Sequence, residues 1–135
     1  MKTIYRVECS DGSGPYWTDD EEIHSLMYVY NGDAHPDPID DKELARQIDE
    51  NGIQIGRHIF AFESPEQLCQ WFHDQETNYK LTSRSVTVVE SHVNYFVKGN
   101  SQVMVPKTQY ENRVVVKVSG LYKFVEFHKK ELTPV

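Results

Sequence analysis

Six histidines (His24, His35, His58, His73, His92 and His128) and two cysteines (Cys9 and Cys69) are the side chains best suited to hold a metal or exchange a proton near neutral pH. None of the histidines stands in an H-x-x-x-H or H-E-x-x-H arrangement, and neither cysteine has a C-x-x-C partner, so no metal site is expected. A serine hydrolase would need a nucleophile elbow such as G-x-S-x-G, and a phosphate-binding loop would need a P-loop or G-x-G-x-x-G; the chain has none of these. Asp11-Gly12-Ser13-Gly14 is turn chemistry. His35 lies in the rigid segment His35-Pro36-Asp37-Pro38, which could border a cleft near Gly14-Pro15-Tyr16. There it would be a ligand contact or general base, or else an exposed loop histidine. Both readings stay open.

The clearest positioning element is Gly56–Phe72, GRHIFAFESPEQLCQWF. Ile59, Phe60, Ala61 and Phe62 form a short β-favouring apolar run. Ser64 is set to cap a helix, Pro65 suits its first position, and Gln67 completes a capping box. Leu68, Trp71 and Phe72 then fall on one face.

Upstream, Lys2–Cys9 reads as a strand with Ile4, Arg6 and Glu8 on one side and Tyr5, Val7 and Cys9 on the other. Thr18 with Glu21 predicts a helix start, with Ile23, Leu26, Met27 and Tyr30 as its apolar face and Asn31-Gly32 as its stop. Asp33–Ile39 reads as an extended loop. Asp40 with Glu43 then caps a second helix, which carries Leu44, Ala45 and Ile48 and ends at Asn51-Gly52. Asn78–Ser83 reads as a polar connection. Five strands are expected after it: Ser85–Glu90, Val93–Val97, Gln102–Val105, Arg113–Val118 and Leu121–Phe127, with turns at Lys98-Gly99-Asn100 and Ser119-Gly120. This pattern predicts one α+β domain over residues 1–135, with about three helices and a twisted, mainly antiparallel sheet.

Charge is uneven. Residues 1–63 carry 14 acids against 5 bases, a net of −9, while residues 64–135 carry 7 against 9, a net of +2. An acidic first half argues against direct nucleic-acid binding, since attraction to phosphates supplies most non-specific affinity. It leaves open an acidic surface that docks on a basic partner, or simply solvated helix faces. No apolar run is long enough to span a membrane, and the first residues lack an apolar signal core, so a cytoplasmic location in the host cell is expected. Cys9 and Cys69 are expected to be reduced and partly buried.

Two resemblances add to this. Arg6 on the first strand, Ser64 after the aromatic strand and Gln102 in SQVMV on a late strand follow an order that resembles the ADP-ribosyltransferase-like superfamily. That resemblance implies a similar architecture and an NAD cleft lined by Arg6, Tyr16, His35, Ser64 and Gln102. In such a cleft a cation meets the pyrophosphate and the hydroxyl and amide bond the riboses. The transferases usually place a glutamate where Gln102 stands, and a neutral amide cannot stabilise an oxocarbenium-like transition state. Catalysis is therefore left open and no cofactor is expected outside the NAD reading. YRVE, GPY, HPDP and FAFESPEQLCQWF, over about the first 105 residues, are also similar in order to small proteins of tailed phages and prophages. This implies a phage-encoded protein that binds and inhibits a host or defence protein. Its contacts would be the acids Asp37, Asp40, Asp41 and Glu43 and the aromatic Trp17, within the group Tyr16, Trp17, Tyr28 and Tyr30.

Overall fold

A computed structural model describes residues 1–30 and 41–132, the last two in backbone only. The proline-rich segment, with His35, Asp37 and Asp40, lies outside the described residues. The elements run β1 (Lys2–Glu8), α1 (Glu21–Leu26) continued by a 3-10 turn (Met27–Tyr30), α2 (Lys42–Asn51), a 3-10 turn (Ile55–Arg57), β2 (His58–Ala61), α3 (Pro65–Trp71) and α4 (Gln75–Ser83). They continue with β3 (Thr87–Val93), β4 (Val97–Lys98), β5 (Val103–Pro106), α5 (Lys107–Glu111), β6 (Val114–Gly120) and α6 (Leu121–Leu132). The fold is α+β, with all described pairings antiparallel. Instead of one sheet, the described residues form two three-stranded ones, ordered β1-β3-β6 and β2-β5-β4. They meet at one bridge, where Tyr5 and Phe62 exchange both backbone hydrogen bonds at 2.8 Å.

Helices α1, α3, α4 and α6 cover one face of the first sheet, burying Val7, Phe62, Leu68, Phe72, Val88 and Phe124. Between the two sheets lies a second cluster that includes Ile4, Ala61, Val93 and Val103. β1 is thus covered on both faces, which explains why Ile4 is as buried as Val7. Leu44 of α2 packs on Val97 and Met104 in a third cluster.

Several expectations are corrected. The helices number six among the described residues rather than about three, and Val93–Val97 is not one strand, since Val93 ends β3 and Val97 opens β4. The polar stretch around Asn78–Ser83 is helix α4. Asp74 caps it, accepting from Thr77 N at 3.0 Å, and Asn78, fully buried, brackets the turn before it by donating to the Phe72 carbonyl at 2.8 Å. The apolar run Leu121–Phe127 is helix rather than strand, because Leu121, Phe124 and Val125 at helical spacing close the main core against α3 and α4. Its first turn is met by Thr82, whose hydroxyl accepts from Tyr122 N at 2.8 Å. The helix caps also shift: Asp20 caps α1 in place of Thr18, and Asp41 caps α2 in place of Asp40.

Tyr30 joins α1 to α4 from a fully buried position. Its hydroxyl donates to Asn78 Oδ1 at 2.5 Å and accepts from Asp74 N at 3.2 Å. Burial, the larger cause, pushes the phenol's pKa up. Tyr30→Phe keeps the ring but strands both partners, so it should cost about 1–3 kcal/mol, read as a lowered urea midpoint at unchanged slope.

Candidate functional site

The residues singled out for chemistry fall into two groups, and each has a structural occupation. Arg6 is largely buried on β1 and donates to Glu8 Oε1 and to the Gly12 carbonyl, both at 3.0 Å. Gly14 sits so close that a Cβ there would come within 3.3 Å of the guanidinium. The Tyr110 ring lies 5.3 Å from Arg6 on one side and carries Arg113 at 3.8 Å. Arg6 therefore ties the loop after β1 to the sheet. Tyr16, in the same loop, turns inward and its hydroxyl accepts from Trp71 Nε1 at 3.1 Å.

The second group gathers around the β4–β5 turn. Ser64 caps α3, accepting from Gln67 N at 3.1 Å. Gln67 closes the reciprocal bond one residue early, accepting from Glu63 N at 2.9 Å, and reaches the Asn100 carbonyl at 3.3 Å. Gln102 is buried just before β5, and its carbonyl accepts from Gly99 N at 3.0 Å. Asp41 is buried in this same junction, with its carboxylate accepting from Leu44 N, Asn100 N, Ser101 N and the Ser101 hydroxyl at 2.9–3.2 Å. As a partner-facing acid Asp41 is thus corrected: it is a buried clamp between α2 and the turn. Gly99 is required here, because a Cβ would meet Leu44 and come within 2.6 Å of the Gln102 carbonyl and 2.9 Å of Asp41. Glu43 is half-buried and paired with Arg46 on α2. The acids expected to form one patch are therefore divided, with Asp37 and Asp40 outside the described residues.

Arg6, Ser64 and Gln102 do stand on neighbouring ribbons, since β5 pairs with β2 and β2 bridges to β1. Their polar groups are nonetheless engaged separately: the guanidinium turns to the Gly12–Gly14 loop, and the Ser64 hydroxyl caps α3.

An open surface lies instead at the start of α1. Thr18, Asp19, Glu21, His24, Ser25 and Tyr28 line a shallow depression. Beside it Trp17 is 86% exposed, and Tyr28 is 67% exposed. The His24 ring holds the Tyr16 carbonyl at 3.1 Å and meets Tyr28 edge-on at 6.5 Å. Four consecutive acids, Asp19–Glu22, crown this face. Arg84 pairs with Asp20 at 3.0 Å and Glu22 at 2.8 Å, so Asp19 and Glu21 carry no ion pair among the described residues. The Ile23 N–H first, then Arg84, hold the Asp20 carboxyl below its usual range. In the sequence these acids register only as partners of a helix N-terminus. The signal of a surface is that the same run follows the aromatic pair Tyr16-Trp17 after a single residue, Thr18.

Among the described residues no group of three or more His, Cys, Asp or Glu side chains is placed to hold a metal, and no helix is long and apolar enough to cross a membrane. Comparison with curated proteins and with solved structures gives no match. A family model does match: over residues 1–119 the chain fits the family described as Bacteriophage T4 Y00F protein, and it belongs to that phage protein family.

Proposed function

We propose that this phage protein works without catalysis, by binding a host or defence protein and inhibiting it through the face around Trp17 and α1. The observation that carries the reading is the almost fully exposed Trp17 beside Asp19 and Glu21, which have no ion pair among the described residues. Tryptophan is among the side chains enriched at the energetic centres of interfaces. Adjacent unpaired acids favour a basic partner and speed its approach. The core does not need Trp17, since its neighbour Tyr16 supplies the inward contact to Trp71.

The test is affinity capture from host cells with the tagged chain, identification of the captured protein, and titration of that protein with variants. Trp17→Ala should weaken binding at least tenfold while leaving the unfolding midpoint in place. The double variant Asp19→Lys, Glu21→Lys should slow association and flatten its dependence on salt. A partner that binds Trp17→Ala as tightly as the parent would end this reading.

A second reading, NAD or a related nucleotide bound near Arg6, Tyr16, His35, Ser64 and Gln102, is favoured by the strand order that sets β1, β2 and β5 side by side. For a pyrophosphate to be met, Arg6 would have to exchange Glu8 and the Gly12 carbonyl for it. A thermal-shift titration with NAD, ADP-ribose and ATP decides. A ligand at a hundred times its Kd stabilises by about 2.7 kcal/mol. A dose-dependent shift lost in Arg6→Ala would support the reading, and a flat response to all three would remove it.

A further inference from the structure

Among the described residues, strand β6 is the uncovered edge of the first sheet. It pairs with β3 alone among the described residues, and every residue from Val114 to Val118 is exposed. Four of the five are valines, between 48% and 57% exposed. A strand like this presents a row of backbone donors and acceptors framed by β-branched side chains, which is a template for adding another strand. Two features usually blunt such an edge, a charge and a bulge, and both are weak here. Lys117, the one charge, stands opposite Glu90 on β3. The register shift at Glu90/Ser91 leaves Val116 without a partner on β3, and so adds a half-exposed valine to the apolar row.

We propose that the occupant of this edge is β6 of a second copy of the chain, paired antiparallel about a two-fold axis at Val116. Symmetry and side-chain chemistry both select this occupant. With the axis at Val116, Val114 faces Val118 of the other copy and Val115 faces Lys117, so valine meets valine or the Lys117 stem and no charge faces its like. The two irregular points coincide on the axis, which leaves the regular stretches on either side to face each other. Any other register would set one copy's bulge against the other's regular ladder. The contact is isologous and so closes at two copies. Growth at the far edge is blocked, because β1 is already tied to Phe62 through Tyr5. The product is a six-stranded antiparallel sheet, β1-β3-β6 continued by β6-β3-β1 of the partner.

Sedimentation equilibrium on the full chain tests this directly. The parent should show twice its 15.7 kDa mass, dissociating on dilution. Val116→Lys sets two like charges on the axis and should return the mass to that of one chain, with far-UV circular dichroism unchanged. Val116→Glu should do the same, and mixing the two variants should restore the doubled mass, because opposite charges then meet at the same point. Hydrogen exchange of the parent's β6 amides, which needs no variant, should slow as concentration rises. A parent that stays at 15.7 kDa at its highest attainable concentration overturns the proposal. So does a dimer that survives Val116→Lys with its β6 amides unprotected, or an edge that is filled only when a foreign valine-rich peptide is added.

Discussion

Asp41→Ala is expected to lower folding stability by about 3–5 kcal/mol, because one buried and two part-buried backbone N–H groups and one hydroxyl lose their acceptor at once, and a donor left unsatisfied away from water costs about 1–3 kcal/mol. The donors belong to two separate pieces of chain, the first turn of α2 and the β4–β5 turn. The variant should therefore loosen both, and Leu44, which packs beneath them on Val97 and Met104, should follow. Urea denaturation at neutral pH measures the loss. The acidity of this group gives a second readout. Burial alone would push the Asp41 carboxyl up, but the N–H groups of Ser101, Asn100 and Leu44 and the Ser101 hydroxyl outweigh it and hold it below its ordinary value of 3.8. A carboxyl whose folded pKa is depressed stabilises the fold above the unfolded value, and that contribution fades as pH falls through the folded one. The stability gap between parent and Asp41→Asn should accordingly be widest above pH 3.8 and narrow on further acidification. A gap that does not change with pH would mean the carboxylate charge contributes nothing at this junction.

Phe72→Ala should be comparably damaging, at about 3–5 kcal/mol for a buried phenylalanine truncated in a packed core. The ring is 2% exposed. It meets Tyr30 edge-on at 5.0 Å and Phe62 at 6.1 Å, so the end of α3, the 3-10 extension of α1 and the residue that follows β2 share one contact. Removing it leaves a cavity bordered by rings that cannot collapse without breaking the Tyr30 bonds to Asn78 and Asp74. Thermal and urea unfolding should both show the loss, and Phe72→Leu should recover most of it. If Phe72→Ala proved nearly neutral, the aromatic cluster would not be the centre of the core.

How far the sequence announces this molecule depends on how local the deciding forces are. The turn into α3 is legible because Ser64, Pro65 and Gln67 act within four residues of one another. Helix α4 is hidden because the face it turns inward includes two polar residues, Thr77, whose hydroxyl is satisfied by the cap Asp74, and Asn78, whose amide is satisfied by the Tyr30 hydroxyl and the Phe72 carbonyl. Leu121–Phe127 misleads for the opposite reason: the run is apolar enough for a strand, and only packing against α3 and α4 selects the helix. The caps of α1 and α2 lie one or two residues from their expected places, among neighbouring side chains that can all accept from an N–H. The candidate surface shows the same limit. Tyr16 and Trp17 are adjacent aromatics, and which one faces solvent depends on Trp71, 55 residues away from Tyr16.

The buried thiols carry a consequence of their own. Cys9 and Cys69 are unpaired and enclosed, and burial pushes the Cys69 pKa up to about 11. At neutral pH almost none of Cys69 is the reactive thiolate while α3 stays seated, and exposure would restore ordinary reactivity. The protein thus contains its own clock. Each encounter with a thiol reagent records a moment when the helical layer lifts from the sheet, and the pace of that record is the tempo at which the core breathes.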